Sequence, residues 1–236
     1  MALPKLNTPT YSLVLPSTGE EIKFRPFLVK EQKLLMLAQE SEDNKEMLDT
    51  VVKIVSSCTF NKVDPTHSPL FDIEYVFLKL RAKSVGENVE VTLLCPDDEE
   101  TYTTKKINLD EIEIEVDESH SNEIQLTEQI KLIMKYPQMS DMNQINTQDN
   151  SQINLVFSVL KHCILEVQDG DTSYQKVDIS DKDLEEFIDS FDTEQFEKIM
   201  TFFETMPKLR EKVEVTNPKT QVTSEIVLEG LESFLG

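Results

Sequence analysis

The residues of this chain that could act as nucleophiles or acid–base catalysts are few and scattered. The sequence of 236 residues contains three histidines. His67 lies in a proline-containing loop, His120 lies in an acidic stretch, and His162 immediately precedes Cys163. Adjacent residues of a helix do not face each other, so His162 and Cys163 do not fit the roles of base and nucleophile. The histidines therefore predict no catalytic site.

The cysteines and aspartates do not have the spacing of metal ligands. Cys58, Cys95 and Cys163 are odd in number and widely spaced, which predicts no disulfide framework and suits a reducing cytoplasm. Cys95 begins a Cys-Pro-Asp-Asp sequence that is similar to half of a zinc knuckle, but no second pair of Cys or His ligands follows. The Asp-Gly-Asp at 169–171 is too short for a calcium loop of about twelve residues. We therefore predict no metal site.

Composition also argues against an enzyme. Five glycines in the whole chain leave little room for a glycine-rich phosphate loop, and the abundant carboxylates single out no acid–base pair. The sequence predicts no enzymatic activity and no cofactor. The alternative, from another functional class, is an enzyme that acts on a small molecule or uses a metal. A polar cleft with converging histidines and acids, or metal bound to the purified protein, would support that alternative.

The charge of the chain is strongly acidic. It has 23 Lys and Arg against 45 Asp and Glu, a formal net charge of −22. Binding to nucleic acid or an anionic membrane requires a local excess of Lys and Arg, so the balance disfavours both and favours basic protein partners. The alternative is that the acids only solvate the surface. No apolar run approaches the roughly 20 residues of a membrane-spanning helix, and the N-terminus has no signal-peptide pattern, so we expect the chain to act where it is made.

Hydrophobic spacing and turn signals predict the elements that position these residues. Tyr11 to Phe27 predicts two short strands around a Pro-Ser-Thr-Gly turn. A helix predicted from Val29 to about Glu40 places Leu34, Leu35 and Leu37 on one side. Further elements of the first half are predicted in the order helix 47–58, loop 61–69, a helix from an N-cap at Asp72, strands 89–94 and 102–107, and an exposed strand between 108 and 122.

The second half repeats this order. Residues 122–137 predict another hairpin that ends in a basic residue and a proline, Lys135 and Pro137, as Arg25 and Pro26 end the first. An apolar helix with a cysteine near its end follows each time, and a Phe-rich helix and a valine strand come next. Self-similarity at a period of about a hundred residues indicates domain duplication, because solenoid repeats are about 20–50 residues long.

These patterns predict an α+β fold of two related lobes, residues 1–118 and residues 119–236. Each lobe is expected to contain a β-hairpin, apolar helices and a small antiparallel sheet. A duplicated unit with no catalytic cluster in either copy indicates a scaffold or an adaptor protein. Unrelated strand orders in the two halves would contradict the duplication. The sequence does not indicate whether the chain is a monomer or an oligomer.

Three long stretches resemble a known family, and together they make nearly the whole chain similar to it. They are the opening MALPKLNTPTYSLVLPSTGEEIKFRPFLVKEQKLLMLA, the central EYVFLKLRAKSVGENVEVTLLCPDD and the late FETMPKLREKVEVTNPKT. The chain resembles the baseplate hub family of T4-like phages, which includes hub subunits and hub assembly proteins. The resemblance implies a non-enzymatic protein needed to build the central hub of a contractile-tail baseplate, with no catalytic residues to transfer.

The resemblance also implies partners and a location. The expected partners are other baseplate hub or tail proteins, and the expected location is the virion tail baseplate, or the host cytoplasm during assembly. It leaves open whether the chain is a permanent hub subunit or a transient assembly factor. The alternative is a tail assembly chaperone that shields a tail or tape-measure protein and is absent from the virion.

Three segments are candidates for binding these partners. The first holds Arg25, Phe27 and Lys30, a cation–aromatic combination enriched at interface hot spots. Its alternative is a strand-to-helix corner with Phe27 in the core. The second is the apolar tail of Leu231, Phe234 and Leu235, which would dock in a groove of a partner or pack on its own lobe. The third is the small basic segment 208–210, which is interpreted more simply as charges at the C-terminus of a helix.

Overall fold

The fold is described from a computed structural model, which describes residues 7–41, 44–144 and 152–234. Helices and small antiparallel sheets are mixed along the chain, which confirms the α+β class. The chain forms two compact units. The first contains the residues up to Glu115 together with those from Lys208 onward, and the second contains Val116–Pro207.

The elements alternate between short strands and helices. The strands are β1 (Tyr11–Val14), β2 (Glu21–Phe24), β3 (Asn88–Leu94), β4 (Tyr102–Asn108), β5 (Ile114–Glu115), β6 (Glu123–Gln125), β7 (Ile130–Met134), β8 (Ile164–Asp169), β9 (Thr172–Gln175), β10 (Lys208–Thr216) and β11 (Thr223–Glu229). The helices are α1 (Val29–Ser41), α2 (Asn44–Cys58), α3 (Leu70–Ser84), α4 (Met139–Gln144), α5 (Gln152–Cys163), α6 (Asp181–Asp189) and α7 (Thr193–Thr205), with 3₁₀ turns at Lys176–Asp178 and Leu231–Phe234.

The core of the first unit forms around α3. Phe77, Leu78 and Leu80 on this helix are completely buried, because apolar residues occur on most of its faces. The helix begins after Pro69, two residues before the predicted N-cap. Asp72 instead binds the turn between β1 and β2, since its carboxylate accepts hydrogen bonds from the backbone N–H and the hydroxyl of Ser17.

The last 29 residues of the chain belong to the first unit, so the predicted lobe 119–236 is wrong at its C-terminal side. β10 pairs with β11 and also with β5, in a sheet of order β11-β10-β5. The Asn217 side-chain amide donates to the Asp97 carboxylate at 2.9 Å and ties the β10–β11 turn to the β3–β4 loop. Hydrophobic burial explains why the C-terminal segment packs in the first unit, because Phe234 is completely buried in the core of that unit.

The second unit is a four-stranded antiparallel sheet of order β6-β7-β8-β9 with helices packed on it. Its core combines Leu132 and Val167 of the sheet with Leu160 of α5, Leu184 of α6 and Ile199 of α7. α7 starts with a capping box, in which the side chain and the backbone of one residue exchange hydrogen bonds with those of the residue three positions later. This box satisfies N–H groups that a helix terminus leaves unpaired.

The two units share part of their order and differ in the rest. Each has a hairpin, β1–β2 or β6–β7, followed by a helix that ends at a cysteine, Cys58 or Cys163. After Cys58 the chain enters a turn and α3, whereas after Cys163 it directly forms β8, which pairs with β7. The strand orders of the two units therefore differ beyond the shared segment, and duplication of a whole lobe stays a prediction.

Candidate interaction surface

Arg25 lies in a buried corner between β2 and α1, where it serves the fold of the first unit. Its guanidinium donates to Glu31 Oε1 at 2.9 Å and to Ser57 Oγ at 3.0 Å. Its backbone N–H donates to the carbonyl of Cys58 at 3.0 Å. The other carboxylate oxygen of Glu31 accepts the N–H of Leu28 at 2.8 Å, at the start of α1. We refer to this arrangement as the Arg25 corner.

The Glu31 carboxylate is charged although it is buried. Burial alone would raise the pKa of Glu31, but hydrogen bonds from the Arg25 guanidinium, a backbone N–H and a lysine outweigh it and lower the pKa from 4.5 to about 2. Phe27 is also buried, and its N–H donates to Ser84 Oγ at 2.9 Å. Arg25 and Phe27 are therefore engaged inside the unit, which corresponds to the strand-to-helix corner alternative.

The second unit contains a corner of the same design. The Lys135 ammonium donates to both carboxylate oxygens of Asp141, at 2.7 and 2.8 Å, and the Lys135 N–H donates to the Cys163 carbonyl at 2.8 Å. Asp141 also accepts the N–H of Gln138 at 2.9 Å. In both corners the acid lies six residues after the base, so the shared basic residue, proline and cysteine of the sequence correspond to a shared local structure.

Lys30 is the one residue of the first predicted binding segment whose side chain is largely exposed, and it lies on an apolar face of α1. The positions Val29, Lys33 and Met36 follow each other at spacings of four and three, as do Lys30, Leu34 and Leu37, so they form two adjacent rows along the helix. The apolar members are exposed by 80% (Val29), 47% (Leu34), 54% (Met36) and 49% (Leu37). We call these six residues the α1 surface.

Leu34, Leu35 and Leu37, which the spacing predicts on one side of α1, differ in burial. Leu35 is buried with Ala38 and Glu31, and the other two leucines are exposed. The signal was present in the sequence, because Leu34–Leu37 is a run of four apolar residues, and successive residues of a helix are about 100° apart. Such a run must place apolar side chains on both the buried and the exposed side.

The C-terminal tail packs on its own unit. Leu231 and Phe234 are buried in the core of the first unit, and the N–H of Leu231 donates to Glu74. Burial removes both from the candidate binding surface, and Leu235 lies outside the described residues. The segment 208–210 is not at a helix end but opens β10, where the Arg210 guanidinium pairs with Glu229.

The chemically reactive side chains remain apart in the structure. Burial raises the pKa of the Cys58 thiol to about 11 and that of Cys163 to about 12, so both are protonated at neutral pH. His162 Nδ1 lies 2.8 Å from the carbonyl of Ser158 on its own helix. Within residues 7–41, 44–144 and 152–234, no three His, Cys, Asp or Glu side chains come together as metal ligands. In the same part of the chain, no helix is long and apolar enough to cross a membrane.

A helix that exposes four apolar side chains to solvent is typical of the class of proteins that bind other proteins. The comparison with known families agrees with this class. The chain matches the model of the T4 bacteriophage base plate protein family over residues 8–236, and it belongs to this family. No curated protein and no solved structure matches the chain. The family gives the chain a structural role in the phage tail baseplate, in contact with other baseplate proteins.

Proposed function

We propose that this protein is a non-enzymatic subunit of the central hub of a contractile-tail baseplate, and that its α1 surface binds a neighbouring hub protein. The observation that carries the proposal is the exposure of four apolar side chains on one helix of a baseplate-family protein. Apolar patches that remain exposed in the isolated chain mark protein interaction sites, and burying them drives association.

The charge of the α1 surface indicates the chemistry of its partner. Residues 23–39 contain four basic residues and one acid, whereas the whole chain has a net charge of −22. The acid, Glu31, is buried, and its negative charge is paired with Arg25 in the Arg25 corner. Lys30 and Lys33 therefore present positive charge beside the apolar side chains. We infer that the partner surface is apolar with carboxylates at its rim, because opposite charges at a rim steer association and set specificity.

A double substitution tests the proposal. Leu34→Gln with Met36→Gln removes apolar area from the α1 surface while keeping residues that favour a helix. Leu155→Gln on α5 is the matched control, because Leu155 is a helical leucine that is 45% exposed in the other unit. We expect both proteins to fold as wild type by circular dichroism. Supplied to a phage that lacks the gene, only the control should restore infective particles with complete hubs. Full restoration by the double variant would contradict the proposal.

The nearest alternative is a tail assembly chaperone that shields a tail or tape-measure protein before polymerisation. The same exposed apolar helix on a highly acidic chain favours it, since such a surface can cover an apolar client while the charge keeps the complex soluble. A factor that assists hub assembly and then leaves is a closely related case. Both differ from a subunit in one respect, because neither is retained in finished particles.

A further inference from the structure

β9 is the outer strand of the sheet in the second unit. Within the described part of the chain, it pairs with β8 alone, so its other edge carries no strand. Gly170, with a φ of +56°, opens the two-residue turn that leads into β9. Asp169 and Thr172 close this turn as a hydrogen-bonded pair. Hydrogen-bonded and non-hydrogen-bonded pairs alternate along an antiparallel ladder, so the backbone N–H and C=O groups of Ser173 and Gln175 point away from β8. These groups are a template for another strand.

The apolar face of the sheet continues into solvent at β9. Ile124, Leu132, Val167 and Tyr174 lie opposite one another in the strand registers and form one row across all four strands. The first three are buried, but Tyr174 is 48% exposed. A fifth strand would add the next member of this row and cover the tyrosine ring.

A small apolar pocket lies beside Tyr174 on the same face of the sheet. It has a volume of about 210 Å³, and Tyr174, Ile130, Ile179 and Phe187 are among its lining residues. An apolar cavity of about 150 Å³ holds a benzene molecule, so this pocket has room for one apolar side chain. Val177, in the turn that follows β9, is 90% exposed and adds apolar surface next to the strand.

The opposite face of β9 is polar. The hydroxyl of Ser173 donates to the Glu166 carboxylate at 2.8 Å, and the Gln175 amide donates to the Ser173 hydroxyl at 3.2 Å. Side chains alternate between the two faces of a strand. A strand added to β9 would therefore need apolar residues at every second position and polar residues between them. We call the outer edge of β9, its pocket and this polar face the β9 site.

The charges around the β9 site select the polar residues of its occupant. Residues 169–189, which include the turn into β9 and helix α6 beside the pocket, contain eight acids and two bases. Two copies of this chain would bring like charges together at the site, which disfavours self-association there. We propose that the β9 site binds, as an added strand, an extended segment of another tail protein in which apolar residues alternate with lysine or arginine. The identity of the partner as a tail protein rests on the proposed function.

A defined peptide tests the β9 site independently of the phage. The probe is the synthetic peptide Lys-Val-Lys-Val-Lys-Val-Lys, added to the full chain and followed by NMR. We expect saturable shift changes at Ser173, Tyr174 and Gln175, and slower hydrogen exchange of the Ser173 and Gln175 amides. The same peptide with Glu in place of Lys is the control, and we expect it to bind at least tenfold more weakly because of the acidic surroundings.

Two sets of variants distinguish the contribution of backbone hydrogen bonds to peptide binding from the contribution of charge. Ser173→Pro removes an outward N–H and should abolish peptide binding, whereas Ser173→Ala keeps the N–H and should retain it. Asp171→Lys with Asp178→Lys changes two exposed side chains and should weaken binding of the Lys peptide roughly tenfold. The charge variants keep the test valid if the proline variant fails to fold.

Three results would overturn the inference. The first is absence of saturable binding, and the second is equal binding of the Lys and Glu peptides. The third is a concentration-dependent dimer in sedimentation that Ser173→Pro abolishes, which would make a second copy the occupant. The test is distinct from that of the proposed function, because the complementation experiment changes the α1 surface and leaves the β9 site intact.

Discussion

Replacing Glu31 by glutamine should destabilise the first unit strongly, because the Arg25 corner joins β2, α1 and α2. The pKa of the carboxyl falls from 4.5 to about 2 on folding, and each pH unit corresponds to about 1.36 kcal/mol, so the charged form contributes roughly 3 kcal/mol at pH 7. The side chain is nearly inaccessible to solvent, so screening removes little of this value. A cost of this size agrees with the roughly 3–5 kcal/mol typical for removing one partner of a buried ion pair.

The contribution of Glu31 depends on pH in a defined direction. Its pKa is lower in the folded state than in the unfolded state, so the stabilisation is fully present above pH 4.5 and is lost as the pH falls toward 2. Linkage with these two values leaves about 2 kcal/mol at pH 3.5. The difference in unfolding free energy between wild type and Glu31→Gln should therefore shrink by about two fifths between pH 7 and pH 3.5.

Urea denaturation followed by far-ultraviolet circular dichroism measures this difference, and hydrogen exchange locates it. We expect faster exchange in α1 and α2 and unchanged exchange in the second unit. Lys30→Gln is the matched control, because Lys30 also contacts Glu31, at 3.2 Å, but is exposed and should cost about 1 kcal/mol or less. A cost below 1 kcal/mol for Glu31→Gln at pH 7, or a cost that is equal at both pH values, would refute this account of the corner.

Three further predictions test other parts of the structure. Asp141→Asn should cost about 3 kcal/mol and speed hydrogen exchange in the second unit alone, because it leaves the Lys135 ammonium without its buried partner. Phe234→Ala should cost about 3–5 kcal/mol and open the first unit, and exchange that rose only in the second would contradict the division into units. Burial lowers the pKa of His120, so the unfolded state takes up its proton first as the pH falls below 6.5. Wild type should therefore lose stability relative to His120→Gln between pH 7 and pH 5 in urea denaturation, and a constant difference would argue against a buried neutral ring.

Local signals predicted the local elements of this fold well. The Pro-Ser-Thr-Gly turn marked the β1–β2 hairpin, the predicted strands 89–94 and 102–107 match β3 and β4 within a residue, and hydrophobic spacing placed α1 within a residue of its observed end. Strand alternation, turn residues and helical spacing depend on neighbours in sequence, which explains this success. The prediction of an exposed strand between 108 and 122 was right only in part, because this segment contains the two-residue strand β5 and a buried Ile112.

The placement of the C-terminal hairpin was not predictable from such signals. β10 and β11 have an ordinary strand pattern that fits either unit. Long-range contacts assign them to the first, among them the pairing of Leu209 with Ile114 and the burial of Phe234. Both depend on contacts between residues that are far apart in sequence. The residue spacing and composition of β10 and β11 therefore do not indicate which unit these strands join.

The exposure of the candidate binding residues was likewise not predictable from local sequence signals. An arginine beside a phenylalanine is frequent at interfaces, but the sequence does not reveal that Glu31 and Ser57 occupy the guanidinium of Arg25. The exposed rows of α1 follow only when it is known which residues face α2 and the core. The β9 site, likewise, depends on the position of β9 at the edge of its sheet.

Quantitative mass spectrometry of purified phage particles, beside the infected-cell lysate, tests the proposed hub role most directly. The measurement is the number of copies of this chain per particle. A hub subunit predicts a fixed copy number that is a multiple of three or six, because closed symmetric assemblies repeat each subunit a set number of times. Presence in the lysate together with absence from finished particles would contradict the hub subunit and favour the assembly factor or the chaperone.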